Sequence, residues 1–338
     1  MKSFVLLLLL SSLSFSQALV KRTQVMMGTY VSISLRKEQL PFSQMAFERL
    51  KQVEKALSSY DPQAQIYRLN HQRHVDISKD SYEALALCKG YYKKTEGYFD
   101  ISIGSVTKGL FHFGEDENIP SDKELLEAKI DFKGLHFDSQ RAWIDEGIQI
   151  DLGGMGKGFG VDKAKILLKE QGVREGVIAL SGDIFCFHSC LMAIQNPFEE
   201  GLVAEFSMGQ NETSISTSGN YRRYVKSRDY NHLINPKSGH SQKNFASITL
   251  VSHVYSNSDL DAYATAASVM PKIKAFSFLK QHRDIGYLII TNEKEVFMNE
   301  GFRKLTKNLR LYSLEGQKEI EYIKARPLIF QNSKKPRL

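Results

Sequence analysis

The stretch Gln149–Asp162, QIDLGGMGKGFGVD, decides how the rest of the chain is read. Four glycines, Gly154, Gly156, Gly158 and Gly160, alternate along it. Before them, Trp143, Ile144, Ile148 and Ile150 give an apolar alternation that predicts a strand. After them, VDKAKILLKEQG has helical spacing, with Val161, Ala164, Ile166 and Leu167 on the buried face. Strand, glycine-rich turn and helix start together make an anion site, because N–H groups without intrahelical partners point out of the turn and glycine lets a phosphate approach them. Lys157 adds a positive charge there. Neither common phosphate fingerprint fits. A Walker loop needs Ser or Thr after the Gly-Lys, where Gly158 stands, and the Rossmann spacing fails at Phe159 or Val161. The stretch alone reads as a phosphate cradle or as a tight packing turn.

A chain of 338 residues can bury a large core as one large domain or two ordinary ones. Its apolar, charged and aromatic fractions are those of a globular protein. Lysine and arginine exceed the acids by 45 to 38, an excess spread along the chain that favours anionic ligands only weakly. The one basic run, SKKPRL, closes a C-terminal tail at 326–338 and reads as solvated, which argues against nucleic-acid binding. Residues 1–18 read as a signal peptide: Lys2 begins it, Phe4 to Leu10 is an unbroken apolar run, and Ser16-Gln17-Ala18 is a small-x-small cleavage site. The expectation is a periplasmic protein, not membrane-spanning once the segment is cleaved after Ala18; retention of the segment as an anchor is the alternative. Cys186 and Cys190 could bridge in an oxidising compartment, while CFHSC lacks the further ligands a metal site with His188 would need.

Along the chain, Gln24–Leu35 alternates as a strand with a Gly-Thr step, and Phe42–Leu57 and Ser81–Thr95 carry helical spacing. Asp61-Pro62 marks a turn. Strands are expected at Gly134–Phe137, Arg141–Asp145, Gln149–Leu152, within Gly176–Phe187 on either side of Ser181-Gly182-Asp183, and at Leu191–Ile194, Leu202–Phe206, Thr213–Thr217 and Phe245–Ser252. A helix follows from about Asp259 to Met270, and two late strands, Gly286–Thr291 and Glu295–Met298, close the body. Strands and helices mix without steady β-α-β alternation, so the class is α+β, with mixed sheets and packed helices.

Two further stretches carry chemistry. In SNSDLDAYATAASVM (Ser256–Met270), Ser258 reads as the N-cap, and Asp261 and Thr265 then lie four apart on one helical face. A carboxylate and a hydroxyl one turn apart give Mg²⁺ two hard oxygen ligands, with substrate phosphates and waters completing the octahedron. Equally, Asp261 favours a helix N-terminus and Thr265 bonds back to its own backbone. In ISTSGNYRRYV and HLINPKSGH, Thr217-Ser218-Gly219 supplies hydroxyls, Arg222 and Arg223 suit anions, and His232 stands beside an Asn235-Pro236 turn where a general base could be exposed.

In order, MGTYVSI, LSSYDPQAQIYRLN, GYFD, DLGGMGKGFGVDKA, SGD, STSGNYRRY, HLINPKSG and DAYATA resemble the successive motifs of the ApbE-type flavin transferases, the FAD:protein FMN transferases. The resemblance runs from about Met27 to Met270. It implies a T-fold-related α+β fold, here an ApbE-like domain over 19–325. It also implies an enzyme that takes FAD and Mg²⁺, cleaves the pyrophosphate, releases AMP and attaches FMN through a phosphoester to a Thr or Ser of a partner, a subunit of a membrane redox complex. Some relatives hydrolyse FAD to FMN and AMP instead, and a flavin-binding protein without turnover is the remaining alternative.

Carried onto this sequence, the resemblance implies metal ligation by Asp261, Thr265 and the carbonyl of Gly154. It implies an FAD site at Met27, Tyr60, Tyr98, Phe99, Asp100, Asp151, Lys157, Thr217 and Asn235, and His232 as the base for the acceptor hydroxyl. Asn235 stands where the family usually has Asp, and Ser181 where it has Gly.

Overall fold

The structure, a computed structural model, describes residues 18–315 and 319–320. The segment expected to direct export, apart from Ala18, and the basic tail lie outside the described residues. The chain opens with an antiparallel hairpin, β1 (Val20–Met26) and β2 (Thr29–Leu35). Its loop is Met27-Gly28, both at positive φ (51° and 68°), the two-residue turn whose twist matches the flanking strands. Next come α1 (Leu40–Leu57), α2 (Gln65–Gln72), β3 (His74–Asp76), α3 (Lys79–Lys94), α4 (Gly104–Thr107) and α5 (Asp122–Glu127). The centre holds β4 (Leu135–Phe137), β5 (Arg141–Ile144), α6 (Gly156–Glu170), β6 (Gly176–Leu180), β7 (Asp183–Cys186), β8 (Leu191–Gln195), β9 (Leu202–Met208) and β10 (Thr213–Gly219). The last part holds β11 (Phe245–Ser252), α7 (Asn257–Val269), α8 (Lys272–Gln281), β12 (Gly286–Thr291), β13 (Val296–Met298), α9 (Glu300–Leu305), β14 (Thr306–Tyr312) and β15 (Glu319–Ile320).

Among the described residues the strands form three open sheets. The main one has the order β1-β2-β6-β7-β10-β11-β12-β13, a second β15-β14-β9-β8, and a small third β3-β5-β4. Every residue of β11 is buried, because two cores meet on it. Ile248 and Leu250 join the core built with α3, α7 and α8, and Ala246 and Val251 join the one shared with β8, β9 and α9. A third core fastens the β1–β2 hairpin to α1 and α6 through Val31, Ile33, Phe47, Leu50 and Val161. Each fully buried Leu or Ile contributes roughly 1.5–3 kcal/mol.

The chain departs from the sequence-based reading at several points. α6 starts at Gly156, so Gly156, Gly158 and Gly160 lie inside the helix and the turn is only Gly153–Met155. Close packing explains it: a Cβ at Gly158 would stand 2.3 Å from the carbonyl oxygen of Asn257, and one at Gly160 would stand 3.1 Å from Leu50 and Met27. The expected strand Gln149–Leu152 makes only a single parallel bridge, Ile103 with Gln149. A side chain replaces the ladder there: Asn70 on α2 donates to the Ile150 carbonyl and accepts from its N–H, at 2.9 and 2.8 Å. The N-cap of α7 is Ser256, in a capping box with Asp259, and not Ser258, whose hydroxyl is taken by Asp162. Beyond Met298 the body continues through α9 and β14, which the late strands were expected to close. Cys186 and Cys190 are joined by a disulfide, and Cys88 is buried and free. Among the described residues no helix is long and apolar enough to cross a membrane.

Candidate active site

The N-terminal turns of α6 and α7 face each other, and the site is built on that meeting. Asp162 of α6 accepts the N–H groups of Asn257 (3.2 Å) and Ser258 (2.8 Å) and the Ser258 hydroxyl (2.6 Å). In return, Asp261 of α7 accepts the N–H of Gly158 at 3.0 Å, near the start of α6. Each carboxylate thus satisfies donors that a helix start leaves without partners, where the helix dipole also favours negative charge.

Lys157 bridges Asp261 to a second buried acid, with Nζ 2.8 Å from Asp183 Oδ2 and 3.3 Å from Asp261 Oδ2. The other Asp183 oxygen accepts from Ser216 Oγ at 2.6 Å. Burial alone would lower the Lys157 ammonium, but the two carboxylates outweigh it and hold it above its ordinary range. Burial, and then the charge of Asp183, push the Asp261 carboxyl upward. With Asp261 ionised, two carboxylates surround one ammonium, and a cation would neutralise the excess and favour that ionised form.

Of the expected metal ligands, Gly154 and Thr265 are neighbours, and Asp261 lies one turn before Thr265 on α7 and lines the same cavity. A Cβ on Gly154 would stand 3.3 Å from Thr265 Oγ1, so this glycine is held against the threonine, and Ser218 Oγ lies 3.4 Å from the same oxygen. Among the described residues no three His, Cys, Asp or Glu side chains cluster to hold a metal. A cation here would rest on one carboxylate, a hydroxyl and a carbonyl. That hard-oxygen set, open to phosphate and water, fits Mg²⁺ and not a soft metal.

His232 is held by both its N–H (3.2 Å) and its Nδ1 (3.1 Å) at the carbonyl of Arg223. A carbonyl only accepts, so Nδ1 carries the proton and Nε2 keeps its lone pair. Burial, then the Arg223 charge, lower the imidazole to about 4, so the ring is neutral at neutral pH.

These groups border one cavity of about 1100 Å³, large enough for a dinucleotide. Met27, Tyr60, Tyr98, Phe99, Asp100, Asp151, Gly154, Lys157, Thr217, His232, Asp261 and Thr265 all line it. Asn235 does not. Its Oδ1 accepts the Lys237 N–H at 2.9 Å and shapes its own turn. Asp151 and Asp100 line the cavity while also ordering loops: Asp151 accepts from Gly153 N–H and Thr107 Oγ1, both at 2.8 Å, and Asp100 accepts from Ser102. Tyr60 donates to the Phe113 carbonyl at 3.0 Å, has Lys108 Nζ 2.9 Å from its ring centre, and bonds Arg223. Arg223, which looked free for an anion, also donates to the Phe113 carbonyl at 2.7 Å. Asp162, Asp183 and Lys108 were not singled out from the sequence, although Asp183 sits in the SGD motif and Asp162 ends the decisive stretch.

Fold and site define an α+β protein with a dinucleotide-sized cavity, a hard-oxygen set that fits a hard cation and a neutral histidine. Residues 27–289 match the model of the ApbE family, and the chain belongs to that family. It is 23% identical over 291 residues to an FAD:protein FMN transferase of Klebsiella pneumoniae, covering 81% of this chain and 90% of that one. It is 28% identical over 283 residues to one of Haemophilus influenzae, covering 76% and 81%. The ApbE protein of Thermotoga maritima superposes with a TM-score of 0.79 at 20% identity, covering 86% of this chain and 100% of that one, which bears on the fold alone.

Proposed function

We propose that this chain is an Mg²⁺-dependent FAD:protein FMN transferase, exported to the periplasm and acting on a subunit of a membrane redox complex. The observation that carries the activity is the convergence on one cavity of Asp261, Thr265 and Gly154 with the Lys157 ammonium and the unprotonated Nε2 of His232. The family membership and the names of its relatives support it; the export segment is read from residues 1–18 alone.

Gly154, Asp261 and Thr265 would hold the metal. When bound, Mg²⁺ supplies charge neutralisation to the pyrophosphate oxygens. Lys157 adds a fixed positive charge, and the part-exposed rings of Tyr60 and Tyr98 could flank the flavin or adenine. His232 takes the proton of the acceptor hydroxyl at Nε2. That oxygen bonds to the FMN phosphorus, the bridging P–O bond breaks, and AMP leaves with the bond's electrons. Phosphoryl transfer asks mainly for positioning and electrostatics, and this site supplies both.

The test uses purified protein with FAD and Mg²⁺, with and without a threonine-bearing acceptor, following AMP by chromatography and acceptor mass by mass spectrometry. An acceptor gaining the mass of FMN, with the gain lost in Asp261→Ala, supports the transferase. AMP without acceptor gain points to an FAD pyrophosphatase in which water replaces the hydroxyl. Bound FAD with neither product leaves a binding protein.

A further inference from the structure

β8 ends its sheet, and among the described residues no backbone bond covers its outer side. The direction of its free groups follows from the ladder. Met208 N–H donates to the Cys190 carbonyl at 3.0 Å, making these two a hydrogen-bonded pair, and the register continues as Met192 with Phe206. Antiparallel alternation then turns the N–H and C=O of Leu191 and Ala193 away from β9. Met192 and Ile194 face the core, and Leu191 is 77% exposed.

Exposed edges normally carry lysine, proline or a short span, because unpaired backbone invites another strand. The other edges here obey this: β1 carries Lys21 and Arg22, and β13 has only three residues. β8 reads LMAIQ, with no charge and no proline. It also borders the active-site cavity, to which Met192–Gln195 contribute. The segment beside β8 is tied to the base: Arg222 donates to Gln195 Oε1, and the carbonyl of the next residue, Arg223, holds His232. The segment that follows is basic. Arg222 lines the cavity, Lys226 is exposed four residues on, Arg228 stacks 5.9 Å over Phe198 just beyond β8, and the one acid between Arg222 and Lys243, Asp229, pairs with Lys243 at 3.8 Å. On the β8 side Glu199 and Glu200 follow Phe198.

We propose that the outer edge of β8 is the docking rail for the acceptor: an extended segment pairs with Leu191 and Ala193 as an added strand, its carboxylates meet Arg222, Lys226 and Arg228, and its hydroxyl is carried to His232. The inference rests on the transferase reading. Backbone pairing gives affinity that tolerates different acceptor sequences, and the charges select among them.

The test is a peptide library with one fixed central threonine and every other position randomised, incubated with FAD and Mg²⁺; peptides that gain FMN are isolated by mass and sequenced. The expected result is enrichment of Asp and Glu near the labelled threonine. The double variant Lys226→Glu/Arg228→Glu brings that enrichment to background, and Ala193→Pro, which removes one outward N–H, lowers labelling at least tenfold. Both variants keep the wild-type circular-dichroism spectrum and a cooperative melt, which separates docking from misfolding. Labelled peptides with no acidic bias, or unchanged labelling in Ala193→Pro, overturn the rail and leave the transferase standing. A dimer in sedimentation that Ala193→Pro dissociates assigns the edge to a second copy and also overturns it. FAD bound with no peptide labelled by the wild type sinks the transferase reading and the rail with it.

Discussion

Asp162 and Asp261 cap each other's helices: Asp162 on α6 accepts the backbone N–H groups of Asn257 and Ser258 at the start of α7, and Asp261 on α7 accepts the N–H of Gly158 near the start of α6. The relation places the expected metal ligands of α7 against Lys157 of α6, so a residue that touches no substrate sets the geometry of those that do.

Asp162→Ala therefore reaches past stability. It leaves buried N–H groups and the Ser258 hydroxyl without their charged acceptor, a loss of about 2–3 kcal/mol. Thermal denaturation should show a drop of several degrees. Activity should fall most at limiting Mg²⁺, with the apparent metal constant rising several-fold. An unchanged metal constant in a folded variant would confine Asp162 to a stability role.

Much of this was legible in the sequence. The Asp261–Thr265 spacing is a local helical relation, and the resemblance gave the order of the motifs, so nearly all the expected residues fall on one cavity. What was not legible depends on partners far along the chain. Asp162 and Ser258 are 96 residues apart, and nothing in SNSD announces that Ser256, and not Ser258, is left free to cap. The glycines suit a turn that admits a phosphate or packs tightly; packing is the need here, but Gly158 and Gly160 meet it inside α6, against α7 and α1, and not in a turn. Asn70 replacing a strand ladder with one side chain leaves no periodic trace.

Lys157→Met tests the charge imbalance. Without the ammonium, Asp183 and Asp261 face each other with no cation, and removing one partner of a buried ion pair costs about 3–5 kcal/mol. Lys157 is 30% exposed, which puts the loss toward the lower end. Millimolar Mg²⁺ should restore a large part of the lost melting temperature in the variant while shifting the wild type less. Equal deficits with and without Mg²⁺ would show that the excess charge does not call for a divalent ion.

The pH dependence follows from His232. Its folded value of about 4 lies below the usual 6.5, so the unfolded chain takes the proton first. The stability this group contributes is fully present above pH 6.5 and is lost as the pH falls from 6.5 toward 4. Transfer should show no acidic limb near pH 6.5 from this ring, since Nε2 stays unprotonated well below neutrality. His232→Gln should lower the rate about 10²–10⁴-fold and flatten the stability slope between those two values. A rate that titrates near 6.5 and loses that titration in the variant would contradict the buried, neutral imidazole.

Two neighbouring glycines of α6 separate packing from conformation. A Cβ at Gly158 would lie 2.3 Å from the Asn257 carbonyl oxygen and 2.9 Å from Asp261 Cβ, and backbone cannot swing aside as a side-chain tip can. Gly158→Ala must push α7 away from α6, at the upper end of the ~1–3 kcal/mol that overpacking costs, and it moves the Asp261 carboxylate as it does so. Activity should be almost abolished in a protein that still folds below its lowered melting temperature. Gly156, two residues earlier, has nothing within 4 Å of its would-be Cβ and a helical backbone. Gly156→Ala should therefore raise the stability of the ligand-free protein by about 0.5–1 kcal/mol, the ordinary gain of alanine over glycine in a helix. Melting curves of the two variants side by side decide the matter. Equal effects would mean that the glycines serve the backbone of the turn, and opposite signs that Gly158 is there for the contact with α7.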